Sequence, residues 1–158
     1  MVTGVPENHL IRALFEGLAV KNPKTLEPEP GVAERWEISD DGTIYTFYIN
    51  PDAKWSNGES ITASDYVWSW HRALHPDTGS LYAYMLYPIA NSEAYSKREI
   101  TDFNEVGVKA LDDLTLHVPL NAPTPHLLQL MAPYTSFAVH PAPLLPPQTL
   151  HDLSTPWL

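Results

Sequence analysis

Arg35-Trp36-Glu37-Ile38-Ser39-Asp40-Asp41-Gly42-Thr43-Ile44-Tyr45-Thr46-Phe47-Tyr48-Ile49-Asn50 is the stretch that decides the fold. Asp-Gly tolerates the positive φ that a tight hairpin turn demands, and here it separates two runs suited to extended backbone. The second run is β-branched or aromatic from Thr43 to Ile49, so it is expected to bury parts of both faces. A second hairpin is predicted from residues 106–111 and 115–120 around Asp112-Asp113, with Val108 and Ala110 alternating against Leu116 and Val118.

Between the hairpins the period changes from two to that of a helix. Thr62-Ala63-Ser64-Asp65 places an acid three residues after a hydroxyl cap, the pattern of a capping box. Tyr66, Val67, Trp70, Ala73 and Leu74 then share one helical face, and Pro76 ends it. Further helices are expected over residues 6–16, through Leu10, Ala13 and Leu14 and stopping at Gly17, and from a Ser80 cap through Tyr82, Tyr84, Met85 and Tyr87. Thr124 is expected to cap another over residues 125–131. Trp55-Ser56-Asn57-Gly58 reads as a turn. Residues 22–31, with three prolines, read as an extended linker, and residues 141–158, with five, as an extended arm or tail. The fold class is α+β: antiparallel β-hairpins with helices packed on one side.

Counts narrow the functions. The chain has 158 residues with sixteen prolines against seven glycines, which favours one domain of short elements and excludes a long coiled coil. Nine Lys and Arg oppose nineteen Asp and Glu, a formal charge of -10, and no Lys or Arg follows Lys109. Nucleic acid and anionic membrane need clustered cations, so neither is an expected partner. With no cysteine there is no disulfide, thiolate ligand or cysteine nucleophile. No apolar run approaches the roughly 20 residues of a membrane span. The first six residues have neither the basic nor the apolar part of a signal peptide, so an exported protein would have lost its signal.

Chemistry-bearing patterns are sparse. His71 and His75 stand at the i, i+4 spacing that lets two imidazoles share a metal, but Arg72-Ala73-Leu74 offers no base and no third ligand follows at motif spacing. The alternative reading places them near a helix C-terminus, where partial positive charge suits the dipole. Asp40-Asp41 and Asp112-Asp113 fall at hairpin tips, where Asp supports turns. There is no Gly-x-Ser-x-Gly elbow and no glycine-rich phosphate loop. No catalytic residue, metal ligand or cofactor is assigned. Trp36, Phe47, Trp55 and Trp70 are expected in the core, while Tyr82, Tyr84 and Tyr87 suggest an aromatic patch facing a ligand or another domain.

Several stretches line up in order along the chain. Gly4-Val5-Pro6-Glu7, Leu14-Phe15-Glu16-Gly17-Leu18 and Pro30-Gly31-Val32-Ala33-Glu34-Arg35-Trp36 precede Tyr45-Thr46-Phe47 and Ala53-Lys54-Trp55-Ser56-Asn57-Gly58. Thr62-Ala63-Ser64-Asp65-Tyr66-Val67-Trp68-Ser69-Trp70 and Gly107-Val108-Lys109-Ala110-Leu111-Asp112-Asp113 with Thr115-Leu116 complete the set. Over residues 3–140 the chain resembles the family-5 extracellular solute-binding proteins, which serve peptide-importing ABC transporters.

The resemblance implies the small second domain of a type II-like peptide-binding protein over residues 18–140. Residues 1–17 would be a remnant of the main ligand-binding lobe and 141–158 a proline-rich tail. The signal region, the first strand and the second lobe would lie outside these residues. It further implies the substrate-binding component of an oligopeptide or dipeptide ABC import system, non-enzymatic and without a cofactor. Its partners would be short peptides and the ABC transporter permease, its place periplasmic or extracellular, held at the membrane through the transporter. In the family, the segment matching Thr3-Gly4-Val5 runs beside the bound peptide and pairs with its backbone. The position before Gly-Val is often acidic there and is Thr3 here. The tyrosine matching Tyr82 faces the cleft, while the acid that holds the peptide's amino group belongs to the absent lobe. Backbone recognition of this kind serves a receptor that accepts many sequences. The alternative is a shortened paralogue acting as an interaction or scaffold domain. A homodimer is also expected, seated on the apolar face around Leu10 and Leu14 or on the proline-rich arm.

Overall fold

The computed structural model describes residues 10, 11 and 13–141. Its centre is a four-stranded antiparallel sheet of β3 (Ala33–Ile38), β4 (Ile44–Ile49), β5 (Lys109–Ala110) and β6 (Thr115–Pro119), in the order β3-β4-β6-β5. The Asp41-Gly42 hairpin is present, with Gly42 at φ 69° as its turn requires. Asp41 accepts from the Ser39 hydroxyl and from the backbone and hydroxyl of Thr43, which holds its carboxyl down at about 2. Asp112 likewise accepts the Leu114 N–H at 2.8 Å. One acid of each pair, Asp41 and Asp112, therefore serves a turn. Only Lys109 and Ala110 of the second hairpin's first arm pair with β6, opposite His117 and Leu116.

Alternation along β4 and β6 builds one core face. Tyr45, Phe47 and Ile49 are buried with Leu116 and Val118, while Ile44, Thr46 and Tyr48 on the other face are half-covered. Helix α1 (Ala63–Leu74) lies on the buried face. Its start is a full capping box: the Asp65 backbone N–H donates to the Thr62 hydroxyl and the Thr62 N–H donates to the Asp65 carboxylate. Tyr66, Trp70 and Leu74 are fully enclosed, and Val67 and Ala73, expected beside them, are half-buried. His75, pushed into extended backbone by the following proline, closes the helix.

Several expectations need correction. Residues 22–31 are not a plain linker: β1 (Ala19–Lys21) and β2 (Pro28–Pro30) form a small antiparallel sheet. Proline is tolerated there because a two-stranded ribbon leaves one edge without partners. Of the helix expected over 6–16, Leu10, Ile11, Ala13 and Leu14 are helical, Phe15 and Glu16 are not, and the rest lie outside the described residues. The helix near Ser80 is a 3-10 turn at Ala83–Leu86, and the one capped by Thr124 shrinks to α3 (Leu127–Leu130). Thr124 gives its hydroxyl to the Ala122 carbonyl instead of to a helix end. Between these comes the one-turn helix α2 (Ser92–Ser96). Phe47 and Trp70 are fully buried, but Trp36 and Trp55 are half-buried, the first on an edge strand and the second in the Trp55–Gly58 turn.

After α3 the chain returns across α1. The Trp70 indole N–H donates to the Ser136 carbonyl at 2.9 Å, and the Val139 N–H donates to the Ser69 hydroxyl at 2.8 Å. Gly17 fits beneath this return because a Cβ there would stand 2.7 Å from the Phe137 ring and 2.9 Å from the Met131 carbonyl. Trp70→Ala should lower stability by about 3–5 kcal/mol, as for other enclosed aromatics. Urea denaturation read by circular dichroism checks this, and an unshifted midpoint would contradict the placement of α1.

Candidate functional site

Among the described residues, a surface feature with binding character is a groove of about 580 Å³ beside α1. Ser69, Arg72 and Ala73, one turn apart on α1, form its floor. One wall is the segment from Thr78 to Tyr82, and the other is the return from Tyr134 to Val139. Ile11 and Phe15 close one end. The clamp of Trp70 and Ser69 on the return therefore sets the width of the groove.

Tyr82 stands in this groove, half-buried, with its ring 6.1 Å from Tyr134 at 84° and 6.2 Å from Tyr84. Edge-to-face contact fixes the Tyr82 ring and leaves part of it open to the groove. Leu81 and Tyr84 beside it are 64% and 55% exposed, which places uncovered apolar surface at the mouth. Tyr87, grouped with them by sequence, turns away and gives its hydroxyl to Ser96 at 3.3 Å. Thr3, Gly4 and Val5 lie outside the described residues. The residues that sequence reasoning did not assign are Tyr134, Phe137, Phe15 and Arg72. Tyr134 follows Pro133 in an irregular segment, so no periodicity marks it; only the return across α1 brings it to Tyr82.

The histidine pair sits in an aromatic cluster. His71 is buried, its Nε2 lies 2.8 Å from the Tyr95 hydroxyl, and its ring lies tilted 4.3 Å from Phe103 and edge-on 5.8 Å from His75. Among the described residues no group of three or more His, Asp or Glu is placed to hold a metal. Burial, helped by repulsion from His75, pulls the His71 imidazole from the ordinary 6.5 down to about 4.

The structure is thus a small α+β unit, with an aromatic groove beside a packed helix. Comparison with known proteins specifies it. The sequence profile of the bacterial extracellular solute-binding proteins, family 5 (middle part) matches residues 27–155. The chain belongs to that family. It is 43% identical over 145 residues to the periplasmic oligopeptide-binding protein OppA of Escherichia coli, covering 89% of this chain and 24% of that protein. It is 44% identical over 131 residues to the oligopeptide-binding protein OppA of Bacillus subtilis, covering 83% and 24%. Among solved structures, the substrate-binding domain of an oligopeptide ABC transporter from Bacillus anthracis superposes with a TM-score of 0.84 at 41% identity, covering 89% and 27%. The chain spans about a quarter of the length of the curated relatives it matches.

The depressed His71 value predicts a pH dependence. Between about 4 and 6.5 the unfolded chain binds a proton at this position that the folded chain refuses, so stability falls as pH drops through that window and is fully present above it. Denaturation midpoints should fall from pH 7 to pH 4.5, and His71→Gln should flatten that part of the fall. An unchanged slope in the variant would contradict the assignment.

Proposed function

We propose that this unit is one wall of a peptide-binding cleft in an extracytoplasmic receptor of an oligopeptide ABC importer. The observation that carries the reading is the Tyr82–Tyr134 groove on a fold whose relatives are named for oligopeptide binding. Tyr82 would face the peptide, with Thr3, Gly4 and Val5 pairing with its backbone. Recognition would occur without chemistry or cofactor, which suits a groove built from aromatic rings, hydroxyls and one arginine. We assign residues 18–140 to the small second domain, residues 1–17 to the edge of the main lobe and 141–158 to a tail. Periplasmic or extracellular location follows from the same reading, supported by the relatives' names, and docking to a permease would follow from the reading alone. The scaffold alternative draws no support from them.

A single wall cannot enclose a ligand. Small-ligand sites bury roughly 70–90% of the ligand surface, so a groove open on one side should bind short peptides weakly. Leu10, Leu14 and Phe15, exposed at 65%, 76% and 47%, form the apolar edge on which another lobe, or a second copy in a homodimer, would seat.

Replacing the matching segment of the Escherichia coli relative with this chain tests the proposal. The chimera should bind short peptides in calorimetry, Tyr82→Ala should weaken binding about tenfold, and the isolated chain should show no submicromolar binding. A folded chimera that fails to bind, or tight binding by the isolated chain, would overturn it.

A further inference from the structure

The return that walls the groove is fastened to α1 by hydrogen bonds between neutral groups, from Trp70 to the Ser136 carbonyl and from Val139 to the Ser69 hydroxyl. A further fastening lies at its far end, and this one carries charge. His140 Nε2 stands 2.5 Å from Glu59 Oε2 and 3.3 Å from Asn57 Nδ2, and its ring meets Trp55 edge-on at 5.2 Å. The imidazole is largely covered, with 18% of its side chain exposed. Trp55 is itself tied to α1, its indole N–H donating to the Asp65 carboxylate at 3.3 Å. The turn over residues 55–59 thus joins the start of α1 to the end of the wall.

The hydrogen bonds around the ring make this fastening depend on a proton. Asn57 gives its carbonyl oxygen to the Glu59 N–H at 3.0 Å, so its amide nitrogen is the group turned to the ring. A carboxylate only accepts and an amide nitrogen only donates, so the two neighbours make opposite demands on Nε2. A neutral imidazole either keeps a proton there for Glu59 or leaves a lone pair there for Asn57. The imidazolium always has the proton, and meets Glu59 with a charge-assisted bond. Glu59 stays ionised, since the His140 contact first and Asn57 second hold its carboxyl below the ordinary range. The other titratable or charged groups on the packed elements are Lys54 on the turn and Asp65, His71, Arg72 and His75 on α1. Asp65 is engaged by Thr62 and Trp55, and both α1 histidines face Tyr95.

We propose that His140 and Glu59 form a proton-dependent clasp that holds the end of the groove wall against the turn over residues 55–59 in mildly acidic surroundings and lets it loosen in alkaline ones. A free imidazole loses its proton at about pH 6.5. The charge-assisted bond is fully present on the acid side of that loss and is given up as pH rises through it. The hydrogen bonds to Ser136 and Ser69 do not titrate, so the wall stays attached to α1 while its end frays. The clasp acts on the wall itself and stands whether or not the groove takes a peptide.

The test is hydrogen exchange of the full 158-residue chain, read by nuclear magnetic resonance at about pH 5.5 and about pH 8. Rates are expressed as protection over the intrinsic exchange rate at each pH, which removes the pH dependence of exchange itself. Val139 protection should fall about threefold from the acid to the alkaline condition, the size expected of a partly exposed ion pair, while Phe47 in β4 shows no such fall. Glu59→Gln changes an exposed side chain and leaves the core intact. It should bring Val139 protection in acid down to the alkaline level and abolish the pH dependence, and His140→Gln should do the same. Equal Val139 protection at both pH values in the parent would overturn the clasp. So would a fall shared equally by Phe47, or one that survives in Glu59→Gln.

Discussion

Everything on the working side of the molecule depends on where the Trp70 side chain goes. Its rings must leave water, and they do so in the buried cluster that also holds Tyr45, Phe47, Ile49, Leu116 and Val118. Its N–H must also find an acceptor, since a buried donor left alone is costly. The Ser136 carbonyl meets that demand, and with it the chain after α3 is drawn across the helix. The Ser69 hydroxyl accepts the Val139 N–H one step further on and, at 2.6 Å, donates to the Asp65 carbonyl. One helix thus packs the core on one side and suspends a wall of the groove on the other.

That arrangement explains why so small a unit can present a defined groove. The helical elements after Pro76 are single turns and 3-10 segments, which have few internal hydrogen bonds to define them. Their positions come from contacts with α1 and the sheet. Ser92 donates to the carbonyls of Leu86 and Ile89, and Ile89 bridges Leu120 just past the end of β6. Tyr82 is therefore held from both ends, by the turn capped at Gly79 and by the segment anchored through Ile89. A tyrosine on a free loop would lose conformational entropy on meeting a ligand; one already fixed loses less.

How much of this the sequence disclosed follows from the range of the forces involved. The Asp41-Gly42 turn and the Thr62–Asp65 capping box are set by residues two or three apart, and both were legible. The strand order was not, because β4 lies beside β6, some seventy residues later in the chain, and the sequence pattern names no partner at that distance. The β1–β2 ribbon was hidden by prolines that an edge position tolerates. Trp36 and Trp55 looked like core on hydrophobicity alone, but an edge strand and a turn cannot cover them. At the site, Tyr82 was singled out by family resemblance, whereas Arg72, Tyr134 and Phe137 become neighbours only through the return across α1.

The central claim is that α1 holds the groove wall independently of the sheet beneath it. Hydrogen exchange on a Ser69→Ala variant tests it most directly, because the change removes the acceptor of the Val139 N–H while leaving the core side chains in place. Loss of protection at Val139 and its neighbours, with the β4 and β6 amides unchanged, is the result the account predicts. Protection at Val139 equal to the parent, or a uniform loss across the sheet, would contradict it.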